Sequence, residues 1–202
     1  MEVKNNFLFN NDQQVEYIET PNTNGKDQLI SPSYIIIHYT AGSSIEGSVN
    51  WFKNPSAEAS AHLVIGRDGR IVQMVPFNQR AWHAGKSQWG NVNGLNSYSI
   101  GIELVNAGRL VKKQGAFINW AGHVIPDDEV IEATHKNDSG SAFWHEYTKS
   151  QIETAIEVSK TLVPAYSILE ILGHDDIAPR RKSDPGPAFP MSAFTSRVFG
   201  RS

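Results

Sequence analysis

The sequence predicts an α/β fold, a single domain with a central mixed β-sheet flanked by α-helices. Three observations carry this. Tyr34-Ile35-Ile36-Ile37 is a continuous β-branched run, the mark of a strand buried on both faces. Ala61-His62-Leu63-Val64-Ile65-Gly66 and Ile71-Val72-Gln73-Met74-Val75 flank Arg67-Asp68-Gly69-Arg70, an Asp-Gly turn that signals a hairpin. Ile152, Ala155, Ile156, Ser159, Leu162 and Val163 recur at helical spacing, so a helix packs on the sheet.

The elements follow in order. Residues 1–30 are polar, with a turn at Pro21-Asn22-Thr23-Asn24-Gly25, and read as an irregular arm with one short strand around Val15 to Ile18. The Tyr34 strand ends in His38-Tyr39-Thr40-Ala41-Gly42. The exit of a central strand is where α/β sheets place their chemistry. Ser43 or Ser44 caps a helix running to about Phe52 and ended near Pro55. Tyr98 to Val105 is a strand with Ile100, Ile102 and Leu104 on one face and Gly101, Glu103 and Val105 on the other. Residues 107–147 read as an insertion: a hairpin from Leu110 to Trp120 around Gln114-Gly115, then mostly loop. Thr148 to Gln151 forms a capping box for a helix over 149–165. Ile168 to Leu172 is a brief buried strand, and Met191 to Phe199 a short amphipathic helix.

The 202 residues suffice for one domain with a real core. A net charge of -3 gives no electrostatic reason to expect nucleic acid or an anionic membrane as partner. The first residues lack the apolar core of a signal peptide, and no apolar run reaches membrane-spanning length. A cytoplasmic protein is expected; action beyond the membrane would need trimming or release by lysis. With no cysteine, any metal must be held by nitrogen and oxygen ligands.

Chemistry concentrates in Gly173 to Pro187, whose three prolines and two glycines rule out regular helix beyond His174. Asp184 precedes Pro185 and is driven to extended geometry, which puts Lys182 and Asp184 on one side. A carboxylate beside an ammonium, ten positions after a histidine, suits a hydrolytic metal site if a second histidine and a base come from elsewhere.

Five stretches, in order over roughly residues 33–190, carry a resemblance: Ile35 to Ala41, Ser60 to Ile65, Arg80 to Gly85, Ser99 to Leu104, and Gly173 to Pro190. The chain resembles the zinc-dependent N-acetylmuramoyl-L-alanine amidases, the group that includes peptidoglycan recognition proteins and phage lysozyme-type amidases. It is most similar to the bacterial branch that recycles anhydromuramyl peptides. The resemblance implies one zinc ion held by His38, His174 and Asp184 at the sheet edge. It also implies Glu103 as general base, Lys182 as oxyanion stabiliser, and peptidoglycan or a muropeptide as substrate. It does not extend over 110–147, which leaves the shape of the substrate groove open.

Other residues have two readings. His83 and Trp82 are candidates for substrate contact. His62 is equally suited to packing or to lining the groove, and Asn106 to bonding a stem peptide. His123, His135 and His145 lack metal spacing, while Trp120 and Trp144 read as packing of the insertion. Asp176 reads as a maker of local turn bonds. Two competitors stand beside the hydrolase: a non-catalytic peptidoglycan-binding module, and a glycosidase, which would need two facing carboxylates and no metal.

Overall fold

The computed structural model describes residues 1–200. Its centre is a mixed sheet of six strands: β1 (Glu16–Tyr17), β2 (Tyr34–Tyr39), β3 (Leu63–Ile65), β4 (Ile71–Gln73), β5 (Ser99–Leu104) and β6 (Glu170–Gly173). Their spatial order is β6-β2-β5-β3-β4-β1. Strands β6, β2, β5 and β3 run parallel, β3 and β4 form the expected antiparallel hairpin, and β1 joins β4 in parallel.

Alternation along the strands sorts the two faces. Ile35, Ile37, Ile100, Ile102 and Leu104 point to one side, under α2 (Lys149–Tyr166) and α4 (Met191–Phe199). Ile36 and Val64 point to the other, where α1 (Ile45–Lys53) covers part of the face with Ile45, Val49 and Phe52. Ser44 caps α1 by accepting the Gly47 N–H at 3.1 Å, and the Thr148–Gln151 capping box opens α2. A one-turn helix, α3 (His174–Ile177), follows β6 directly. Among the described residues, no helix is long and apolar enough to cross a membrane.

Two stretches differ from the sequence reading. The N-terminal arm is ordered: Glu2–Lys4, Phe7–Asn10 and Gln13–Gln14 make a small antiparallel sheet. Its turns, Asn5-Asn6 and Asn11-Asp12, have positive φ at both residues, the geometry that tight hairpins require and asparagine tolerates. The insertion is likewise not mostly loop. Arg109–Lys113 and Ala116–Ile118 give the hairpin around Gln114-Gly115, and Val124–Ile125, Val130–Thr134 and Ser141–His145 complete a five-stranded antiparallel sheet. Leu110, Phe117, Ile125 and Phe143 form its own apolar core.

Candidate metal centre

Register builds the site. In the sheet, Gly173 pairs with Ile37, and Glu103 pairs with His38. Three neighbouring parallel strands therefore end in a row at the β6 edge: His174 just past β6, His38 on β2, Glu103 on β5. Asp184 arrives from the loop after α3, fixed where the Asp175 N–H donates to the Asp184 carbonyl at 2.8 Å. Tyr39 Oη meets Ser183 Oγ at 2.8 Å, and Tyr147 Oη donates to the Pro185 carbonyl at 2.8 Å, which holds the loop on both sides of Asp184.

His38, His174 and Asp184 are all buried, and their ligand atoms converge. His38 Nδ1 lies 2.9 Å from Asp184 Oδ2 and 3.0 Å from His174 Nδ1, which is itself 3.0 Å from Asp184 Oδ2. Hydrogen bonding on the far sides of the rings fixes what these atoms carry. His174 Nε2 faces the Ala84 carbonyl at 3.1 Å, an acceptor only, while the Arg181 guanidinium lies farther off at 3.4 Å and donates to that carbonyl at 2.7 Å; the Nε2 proton therefore goes to Ala84 and Nδ1 is bare. His38 Nε2 faces His83 Nδ1 at 3.0 Å, His83 Nε2 faces Ser99 Oγ at 3.3 Å, and Ser99 Oγ donates to the Leu95 carbonyl at 2.6 Å. Read as one run of donors, this chain leaves His38 Nδ1 bare too. Three bare acceptors then face one another with no proton to join them. A cation satisfies all three, and two imidazoles with one carboxylate are a donor set suited to zinc.

The electrostatics agree with a buried, neutral His38. Burial, then the neighbouring His174, pulls His38 down to about 4. Glu103 goes the other way: burial, then the Asp184 charge, pushes it up to about 8 against a smaller pull from Lys182. Its Oε2 is buried without a hydrogen-bond partner. A cleft of about 380 Å³ opens over the site, lined by Glu103, His174, Asp184, Lys182, Trp82 and His83 among others.

The structure thus gathers His38, His174, Asp184, Glu103, Lys182, Trp82 and His83 at one place, and leaves out two candidates. His62 is fully buried; Nδ1 accepts the Gly101 N–H at 3.0 Å and Nε2 reaches the Gln79 carbonyl at 2.9 Å, so neither nitrogen is open to a ligand. Asn106 is also buried, donating to the His145 and Glu146 carbonyls and accepting from the Gly108 N–H at 2.7 Å; it ties β5 to the insertion. His83 sits behind His38 and supports it. The signal for this was Gly101: a Cβ there would lie 2.5 Å from His83 Cγ, so a glycine within an apolar strand marks a close approach. Asp176 accepts the Gly173 N–H at 2.7 Å, the local bond expected, and also pairs with Lys136 of the insertion at 2.6 Å. The insertion contributes His135, whose Nε2 meets Asp175 Oδ2 at 2.8 Å beside His174.

A family profile for N-acetylmuramoyl-L-alanine amidase matches residues 28–187. The 1,6-anhydro-N-acetylmuramyl-L-alanine amidase AmpD of Enterobacter cloacae is 38% identical over 137 residues, covering 67% of this chain and 54% of that protein. The N-acetylmuramoyl-L-alanine amidase AmiD of Escherichia coli is 30% identical over 175 residues, covering 82% and 53%. The chain spans about half the length of the curated relatives it matches. A solved structure of E. coli AmiD with anhydro-N-acetylmuramic acid-L-Ala-D-γ-Glu-L-Lys superposes with a TM-score of 0.64 at 26% identity, covering 96% of this chain and 66% of that one. The matched segment contains His38, Glu103, His174 and Asp184, and with it the chain belongs to the N-acetylmuramoyl-L-alanine amidase family.

Proposed function

We propose that the protein is a zinc-dependent hydrolase that cleaves the amide between N-acetylmuramic acid and L-alanine in peptidoglycan or its muropeptide fragments. The reading rests on one observation: three bare acceptor atoms converge beside a buried carboxylate with an unpartnered oxygen. The relatives named above carry this same bond in their names.

Zinc held by His38, His174 and Asp184 would supply Lewis-acid polarisation of the amide carbonyl and acidify the attacking water. The chain's own residues do the rest. Glu103, in its ionised form, takes the water proton and passes it to the departing alanine nitrogen; burial raises its basicity above that of an ordinary carboxylate, which favours accepting that proton. Lys182, at the exposed rim of the cleft, offsets charge on the tetrahedral oxygen. His83 keeps the His38 ring turned so that Nδ1 faces inward. Trp82, held by its indole N–H to Asn24 Oδ1 at 2.6 Å, walls the muramyl side chain into the cleft.

Incubation with a chelator is expected to abolish release of L-alanine-initiated peptides from purified muropeptides, and added zinc to restore it. Glu103→Ala should retain one zinc per chain while turnover falls by at least about 10²-fold. Mass spectrometry of the products and metal analysis of the protein read both. A variant that kept near-wild-type rates would remove Glu103 from the role of base. A binding module is not favoured, because the ligand set is complete. A glycosidase is not either, because Asp184 is engaged by both imidazoles.

A further inference from the structure

The tryptophans of the insertion differ sharply in placement. Trp144 is buried in the join between insertion and domain, whereas Trp120 is 78% exposed. Yet Trp120 is not loose: its indole N–H donates to the Ala41 carbonyl at 2.8 Å, and Ala41 lines the cleft over the metal centre. On α1, Trp51 lines the same cleft and is 57% exposed. Ile118 pairs with both Val111 and Val124, so the three share one face of the inserted sheet, beside Trp120 in sequence. Val111 is 60% and Val124 66% exposed. The inserted sheet has its own core on the other face, so this outward apolar row is not required to fold it. Val111, Ile118 and Trp120 line a hollow of their own, joined to the cleft through the Trp120–Ala41 bond, and apolar surface left in water beside a cleft marks a place where a ligand lies.

We propose that Trp120 and Trp51 form a carbohydrate subsite that takes the glycan strand beside the muramyl residue being cleaved. The proposal rests on the amidase reading and deepens it. Charge decides which part of the polymer goes where. The amide and the carboxylate-bearing stem peptide suit the part of the cleft lined by Arg181 and Lys182. The strand of N-acetylated amino sugars is uncharged along its rings, and each ring has a face of C–H bonds that lies flat on an indole while its polar groups remain in water. The Ala41 bond fixes the Trp120 indole before the sugar arrives, so little side-chain freedom is lost on binding.

The test compares wild-type protein with Trp120→Ala, Trp51→Ala and Trp120→Phe on two substrates, purified sacculi and a soluble single-unit muropeptide. The ratio of kcat/KM on sacculi to that on the soluble unit is expected to fall about tenfold for each alanine variant, with partial recovery in Trp120→Phe. A peptide-free β-1,4-linked N-acetylglucosamine hexamer should inhibit wild type on sacculi and inhibit Trp120→Ala less. An unchanged ratio, or a hexamer that inhibits neither, overturns the subsite. Pelleting with sacculi in the Glu103→Ala background separates the two readings: Trp120-dependent pelleting without any cleavage by wild type would overturn the amidase reading and leave the subsite standing.

Discussion

At the scale of single residues, histidine does three jobs in this protein, and the partner of each ring decides which. His38 and His174 present bare nitrogens inward; His83 supports from behind; His62 is a core residue with both nitrogens bonded to backbone. Burial lowers His62 from 6.5 to about 4. Because the folded-state value is the lower one, the unfolded chain takes up the proton first, and stability is lost as pH falls from 6.5 toward 4. His62→Gln should flatten the pH dependence of the unfolding free energy across that window by about 1.4 kcal/mol per pH unit, read by urea titration of the zinc-loaded protein. Sequence alone showed that His38, His174 and Asp184 are ligand-type residues in family order. It ranked His83 above His62, but as a substrate contact; that His83 stands behind His38 as its support, while His62 bonds only to backbone, follows from the fold.

At the scale of elements, the central strands and the helices were legible, and the strands of the two smaller sheets mostly were not. The β2 run, the Asp-Gly hairpin and the α2 capping box each leave a strong local pattern, and each forms where expected. The N-terminal sheet was missed because its strands are only two to four residues long, although the apolar Phe7-Leu8-Phe9 run and the Asn5-Asn6 and Asn11-Asp12 pairs were a readable hairpin signal. Val130–Thr134 and Ser141–His145 were missed for a different reason: their partners lie across a six-residue connection, and their stability comes from Trp144 and the cross-strand pairs. Strand β5 also depends on one residue being small. Gly101→Ala puts a Cβ into the His83 ring, and the displaced ring no longer holds His38. Zinc affinity should fall by about 10- to 100-fold, measured by competition with a chromogenic chelator.

At the scale of the whole molecule, the inserted sheet joins the domain at several places, two of them beside the site. Trp120 bonds to Ala41 at the cleft, and the His135–Asn137 turn grips α3, with His135 Nε2 2.8 Å from Asp175 Oδ2 and Asn137 Nδ2 donating to the Asp175 carbonyl at 3.2 Å. His135 is buried against Trp144, their rings stacked at 5.7 Å. Asp175→Ala would strand that imidazole without its acceptor and should lower stability by about 1–3 kcal/mol, seen as a lower Tm. The insertion and the helix that carries His174 are therefore matched parts. Transplanting the inserted sheet onto a scaffold without an acid at the position of Asp175 would import a ring with no counterpart, so the two segments have to be moved together.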